Sequence, residues 1–537
     1  MATLPNKTLG DLAKLVSVSN AWVEDATKRG KRVAKYRRYQ TGEHDQTLSE
    51  DMRKMLRIEE DGDTESLTIN YMDVVIQTMV DRLNLTSIDA DNDAASQWAQ
   101  DVLTDNRVDG LQSELYEAAI RDGDAFLMVE YDNKAQKVNL VFEEAWDGVT
   151  GIIPIYRSAN MSKMYAAIKV WQIDSWDETE SNTATGSSKD AVLTRVNVYY
   201  PDRIERYGAV NNGEFKPFTG TKSEPLNGVD MWTMNDSTPI GIPLVHFRNR
   251  GRGNMGQSEI KSAIAPQNAL NRFFYSGIMG AELTAFAMYV SMGFDPGDAV
   301  MPGMIMKIAK GGMTADQKAS FEKIQASDLT QIINMIELSC KKIGSITRTP
   351  APEFYGASDT SSGEALKQHE IGLLGKVQRF QQRAGNSWED TLMLAHRVQS
   401  AYSTKQPAAY TRFTASWKSA EIRDDTKVVD NVLKVKDLVG TRQSLRWLAD
   451  VFDNLDEAAI EKIMKENSMD KAGTLGAILA QRGVGGGLGG LTTASGQVNG
   501  QAGANNTQIP TFANFHNPPT NGQRTAVGSN VNGGQAG

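Results

Sequence analysis

Cysteine, histidine and long apolar runs are all scarce in this 537-residue chain, and each scarcity excludes a class of protein. The lone Cys340 can form no intramolecular disulfide and can build no Cys-based zinc site. The histidines, His44, His246, His369, His396 and His516, are scattered without H-x-x-x-H or H-E-x-x-H spacing, so metal catalysis is not expected. The longest apolar stretch, AFAMYVSMGF from Ala285 to Phe294, falls far short of the roughly 20 residues that a membrane-crossing helix needs. The first residues also lack the apolar core of a secretory signal, so a soluble, unexported protein is expected. Positive charge is in deficit as well, with 57 Lys and Arg against 66 Asp and Glu, a net −9. That balance argues against a DNA binder that gains affinity by neutralising phosphates, and any nucleic acid should be held weakly. No G-x-x-x-x-G-K-[ST] segment occurs, which removes P-loop nucleotide chemistry.

What is present is a folded, multi-part chain, since 40% hydrophobic residues suffice for real cores at roughly 100 to 200 residues per domain. Residues 10–60 read as helix, with a basic stretch from Lys28 to Arg38 taken as a solvated helical face. NYMDVVIQTMVDRLNL places Met72, Val75, Met79, Val80 and Leu83 on one helical face. Another helix covers 96–121. The segments AFLMVEYD, KVNLVFEE, GIIPIYR, KMYAAIKVWQI and AVLTRVNVYYPDRIERYG then carry β-branched and aromatic residues with polar alternation, so an α+β region with a mostly antiparallel sheet is expected. Gly251, Gly253 and Gly256 form G-x-G-x-x-G between strand and helix patterns, which reads either as a phosphate-cradling nucleotide site or as a flexible hinge into a long helix. Its late position, and the lack of a following parallel strand, favour the hinge.

A helix is expected from Ser258 to about Phe286, bent at Pro266, and a second from Ser327 to Thr347. Between them lies a Gly/Pro/Met-rich excursion with short strand-like runs. The second helix leads into TRTPAPEFYGASDTSSG, roughly 14 residues of turn chemistry where helices are usually reconnected in about 2 to 8. A third helix runs from Ser362 to about Tyr402, followed by the strand-like YTRFTASWK and further helices, among them a hairpin-like pair, SLRWLADVF and DEAAIEKIMKEN. Beyond about Met469 the chain is rich in Gly, Asn, Gln and Thr, with Arg524 the only charged residue after Arg482, and disorder is expected.

This order of parts resembles the portal proteins of tailed bacteriophages, specifically the siphophage type with a short clip. The resemblance is carried by YRRYQTGEHD (Tyr36 to Asp45), NYMDVVIQTMVDRLNL (Asn70 to Leu85), AAIRDGDAFLMVEYD (Ala118 to Asp132), GQSEIKSAIAPQNALNR (Gly256 to Arg272) and SSGEALK (Ser361 to Lys367), in that order along one chain. It implies an α+β portal architecture: residues 1–257 as the wing, 258–286 and 327–346 as stem helices, 287–326 as the clip, and 347–362 as the tunnel loop. A wing-crossing helix over 363–390, a helical crown over 391–470 and a disordered tail over 471–537 complete it.

The resemblance further implies a structural virion protein, not an enzyme, and without a cofactor. It would be assembled in the host cytoplasm into a ring of about twelve copies at one capsid vertex, a conduit for double-stranded DNA during packaging and ejection. Implied partners are further copies of itself, DNA held weakly and without sequence preference, the major capsid protein, a scaffolding protein, the terminase large subunit and the head-to-tail adaptor, with no membrane. Tunnel-loop candidates are Arg348, Glu353, Phe354, Tyr355, Ser358, Asp359, Thr360, Ser361 and Ser362, with hydroxyls to meet phosphates, carboxylates to repel them and Arg348 at the rim. Clip-docking candidates are Met301, Met304, Met306, Lys307 and Lys310. Twelve copies at −9 each total −108, in keeping with a lumen that must not grip its cargo. Two other functions compete: a nucleotide-dependent enzyme using Gly251 to Gly256, and a tail or baseplate component. Long helices argue against the latter.

Overall fold

Two helices, α1 (Asn6–Leu15) and α2 (Asn20–Thr41), open the chain, followed by α3 (Met72–Val80), β1 (Leu85–Ala90), α4 (Asp93–Asp105) and α5 (Val108–Asp122). A run of strands follows: β2 (Asp124–Asp132), β3 (Lys137–Glu144), β4 (Gly151–Ile155), β5 (Ala166–Trp176), β6 (Ala191–Tyr199), β7 (Arg203–Val210), β8 (Lys216–Pro217), β9 (Val229–Met231) and β10 (Leu244–Arg248). Then come α6 (Ile264–Ala285), β11 (Tyr289–Met292), β12 (Ser320–Lys323), α7 (Thr330–Thr347), α8 (Pro352–Tyr355), α9 (Gly363–Tyr402), β13 (Phe413–Trp417) and α10 (Thr441–Leu448). This computed structural model describes residues 6–45, 68–156, 164–176, 191–211, 213–221, 225–251, 255–285, 289–292, 320–323, 329–350, 352–355, 363–421, 432, 434–435, 440–448, 460 and 462–465. Residues 1–460 cluster as one unit and 461–537 as a second, in which the described residues are a piece of helix. The expected tail thus lies outside the described residues.

All pairings among the named strands are antiparallel. The fold is therefore the expected mixture of helix and antiparallel sheet. The central element is β2, whose run AFLMV is apolar at consecutive positions because both of its faces are covered. Ala125, Leu127 and Val129 face the main core with the helices, while Phe126 and Met128 pack with Ile152, Ala167 and Tyr199 of the six-stranded sheet. That sheet has the order β4-β5-β6-β7-β8, with β9 also on β7, and its other face is closed by Leu9, Leu12 and Val16 around α1. β2 itself is the middle of a three-stranded sheet, β10-β2-β3.

At about 1.5 Å per residue, the 40-residue α9 is roughly 60 Å long. Its buried residues Leu373, Val377, Phe380, Ala384, Trp388, Leu392, Ala395 and Val398 recur at three- and four-residue steps, a single stripe laid against β2, β10 and β13. Trp388 is fully buried and donates Nε1–H to the Tyr116 hydroxyl at 2.8 Å, with its ring edge-on to Phe247. The helix continues through residue 390, where a crown was expected to begin. β13, beyond it, pairs with β1, Ile88 opposite Ala415, and so draws residues 413–417 back onto the N-terminal part.

Several expectations are corrected, among them the single helix over 96–121, which is α4 and α5 parted by Arg107 at a left-handed φ of 49°. The first helical stretch is two helices, because Ser17 takes a left-handed φ of 53° between them; residues 46–60 lie outside the described residues. The basic segment is not simply a solvated face: Arg37 reaches Asp122 and Asp147 at 3.1 Å each and the Ala145 carbonyl at 2.9 Å. The helix expected from Ser258 begins at Ile264, because the backbone before it is engaged elsewhere. Glu259 N–H binds the Ile120 carbonyl at 3.1 Å and Asn249 Nδ2 binds the Gln257 carbonyl at 2.9 Å. Pro266 consequently falls in the first helical turn, where a missing N–H costs nothing, and opens the helix instead of bending it.

The glycine motif serves close approach. Gly256 donates its N–H to Asp124 at 2.7 Å, and a Cβ there would lie 1.7 Å from the Gly123 carbonyl oxygen. Gly123, at φ 94°, is the left-handed cap that ends α5. Two backbones thus pass in contact, which fixes the segment where freedom to hinge was expected; Gly253 lies outside the described residues. Gly256→Ala should destabilise the protein by about 1–3 kcal/mol or more through overpacking against backbone. A denaturant midpoint indistinguishable from that of the parent would contradict the contact.

Candidate functional site

The interrupted connection between α7 and α9 begins with an over-determined turn. Thr347 returns its hydroxyl to the Ile343 carbonyl at 2.7 Å, and Arg348, at φ 56°, donates its N–H to the Gly344 carbonyl. A non-glycine residue in that left-handed region costs roughly 1–2 kcal/mol and persists where its surroundings hold it. Thr349 N–H also reaches the Gly344 carbonyl, at 3.0 Å. Phe354 of the short α8 then folds inward, edge-on to Tyr71 at 5.0 Å between ring centres, and over Gly344, where a Cβ would stand 3.0 Å from its ring.

Beneath this turn sits a buried charge cluster. Lys376, on the apolar stripe of α9 and 5% exposed, donates to the Thr347 carbonyl at 2.6 Å and pairs with Glu259, 2% exposed, at 2.8 Å. The ammonium therefore meets the negative end of the α7 dipole as well as a carboxylate. Glu259 also pairs with Arg250 Nε at 3.0 Å and accepts from Asn249 Nδ2 at 2.9 Å. Burial pulls the Lys376 pKa below its ordinary value, with Glu259 opposing and with Arg250 and Arg348 adding repulsion. Burial lowers Arg383 in the same way, reinforced by Arg379, Arg248 and Arg250. Glu259 is thus paired with Arg250 and Lys376, and the charges of Arg248, Arg348 and Arg379 act on the neighbouring Lys376 or Arg383.

Of the expected loop residues, Arg348 and Glu353 are exposed, Phe354 is a half-buried anchor, and Tyr355 ends α8. Ser358, Asp359, Thr360, Ser361 and Ser362 lie outside the described residues. So do Met301, Met304, Met306, Lys307 and Lys310; of the expected clip, the described parts are β11 and β12, which pair with Tyr289 opposite Lys323. The helices flanking them form an antiparallel pair. Gly277 lets Ile332 within 3.3 Å of where its Cβ would be, and Gly280, three residues on, meets Leu329, three residues back. Sequence reading missed Glu259, Lys376 and Arg383. One signal was available: Lys376 interrupts the stripe of Leu373, Val377 and Phe380, and a cation on a buried face must find a partner.

The G-x-G-x-x-G segment does not have the geometry of a dinucleotide site. β10 before it is antiparallel to β2, and α6 begins eight residues after Gly256, so no helix N-terminus stands behind the glycines. Lys376→Met should cost about 3–5 kcal/mol, because it strands the buried carboxylate of Glu259 beside a helix C-terminus. Pairing it with Glu259→Gln should recover part of that loss in the same unfolding assay; a double variant as unstable as the sum of the singles would show that the two groups are not coupled.

Among the described residues no helix is long and apolar enough to cross a membrane. Comparison with curated proteins returns no match. A family model described as phage portal protein, SPP1 Gp6-like, matches residues 22–473, a span running from α2 through the sheets, the α6–α7 pair, the interrupted loop and α9 to beyond α10. On that match over most of its length, the chain belongs to the SPP1 Gp6-like phage portal proteins.

Proposed function

We propose that about twelve copies of this chain form a ring at one capsid vertex, through which double-stranded DNA is packaged and later released. The observation that carries the ring is α7, which leaves several large apolar side chains exposed outside the stripe that it buries. Ile336, Cys340, Ile343 and Thr347 turn toward α6 and the core. Ile333, Met335, Leu338 and Ile346 lie outside that stripe, 55%, 41%, 47% and 43% exposed in the single chain. Large apolar side chains gathered exposed on one helix mark an interface, and the neighbouring subunit covers them. The α6–α7 pair is then the stem, and the segment between them, residues 287–326, is the clip that docks the terminase large subunit and later the head-to-tail adaptor, with methionines that repack to suit two partners. The major capsid protein and a scaffolding protein meet other faces, and the role is structural, not enzymatic.

The loop after α7 is the part that meets DNA. Its root is rigid, held by Lys376 and Phe354, and cationic, while the loop carries Glu353 and Asp359. Weak contact follows from opposed charges close together: phosphates are neither excluded nor trapped.

In solution the purified full chain should have a mass near twelve times 58.8 kDa. Leu338→Asp should convert those rings to small species while each chain stays folded, by native mass spectrometry and circular dichroism. Rings that survive the substitution would place the interface away from α7. Converting Glu353 and Asp359 to lysine changes the charge by +2 at each site in every copy. Rings should still form, since Glu353 is exposed, but packaging should stall, most severely at low salt. Full-length packaging at low salt would separate the loop from the DNA path.

A further inference from the structure

A second cationic site lies apart from the loop, where α2 meets the glycine segment. A cavity of about 200 Å³ opens there, walled by Arg29, Arg32, Lys261, Asp122, Asp124 and the backbone at Gly251 and Gly256. Arg29 is the telling residue. Its side chain is 11% exposed and its Nη2 is held by Asp25 at 2.8 Å, but its Nε and Nη1 are buried and have no hydrogen-bond partner among the described residues. Buried guanidinium N–H groups are rarely left unmade, because nothing then replaces the water that they lose.

The two carboxylates in the wall do not answer that need. Asp122 is committed to Arg121 at 2.8 Å and Arg37 at 3.1 Å. Asp124 accepts from His246 Nε2 at 2.8 Å and from Gly256 N–H at 2.7 Å. Arg32 and Lys261, both exposed, form no ion pair among the described residues. Three cations therefore line one small space with two carboxylates, of which Asp122 is paired with Arg121 and Arg37, and Asp124 keeps its charge while its hydrogen bonds go to His246 and Gly256 N–H. The volume of that space lies below the roughly 300–1,000 Å³ of sites for drug-sized ligands, which suits a compact ion better than a nucleotide. A planar guanidinium fork beside an ammonium matches a tetrahedral oxyanion.

We propose that this cavity is an oxyanion site that takes one phosphate group, free or carried on a polynucleotide backbone, with Arg29 in its wall and Arg32 and Lys261 at its mouth. The site does not depend on the ring reading, since all its residues come from one chain.

The test is calorimetry of the full-length protein with inorganic phosphate, against potassium chloride at matched ionic strength. Saturable binding at one site per chain is expected, together with a phosphate-specific rise in melting temperature. The double variant R32Q/K261Q should bind at least about tenfold more weakly, because two charge-assisted hydrogen bonds are lost. Its melting temperature in chloride should be unchanged, since both side chains are exposed. Arg29→Lys, which keeps the charge and loses the fork, should weaken binding as well. A short single-stranded oligonucleotide without terminal phosphates separates the two sources: displacement of phosphate by the oligonucleotide identifies the polynucleotide backbone, and binding without displacement identifies the free ion. Heat indistinguishable from that in chloride, or a double variant that binds like the parent, would overturn the proposal.

Discussion

One buried ammonium ties together three segments that are far apart in sequence. Lys376 of α9 holds the last carbonyl of α7 and the carboxylate of Glu259, which precedes α6. Each group would be costly to bury alone: the ammonium without an anion, the carboxylate without a cation, and the helix end without a donor. Together they satisfy one another. The arrangement fixes the angle at which the chain leaves α7, and so the direction from which the interrupted loop departs. Stability alone does not explain it, since an apolar set of the same shape could serve as well. With Lys376 under Thr347, the stripe from Leu373 to Val398 lies against β2 and β10.

The second constraint is the burial of β2 on both faces. It makes one strand the shared wall of the helical core and of the six-stranded sheet. The Gly123–Gly256 contact sits at the start of that strand, where α5 ends, β2 begins and the glycine segment crosses. Close backbone passage there brings Asp124 within reach of His246 and Gly256 N–H together. The cavity beside it shares that crossing as a wall, with Asp124 bonded to Gly256 N–H and Asp122 paired with Arg121 and Arg37.

Charge is distributed against the average. A chain of net −9 collects six cations near the root of the loop and three more around the α2 cavity. Net charge governs long-range repulsion of a polyanion, whereas local clusters govern what happens at contact. Both are features of this chain, and the composition alone reveals only the first.

Much of the fold was legible in the sequence. The apolar spacing of α3 and α9, the alternation in the strands and the turn chemistry after Thr347 are local signals, set by the 3.6- and two-residue periods that a chain shows wherever it is placed. The order of those parts was enough to indicate the portal family. The run AFLMV was read as one alternating strand among several, and only the structure shows it covered on both faces. What only the tertiary structure decided were pairings across long stretches of chain: Lys376 with Glu259, Arg37 with Asp122, β1 with β13, and Gly256 against Gly123. The glycine motif reads locally as a hinge or a nucleotide cradle, and Lys376 within an apolar stripe shows the need for a partner without naming it, until a distant segment arrives beside each. Periodicity fixes which face of an element is buried; the partner on the other side of that face is a property of the assembled core, where burial makes an unpaired charge or a clashing Cβ expensive.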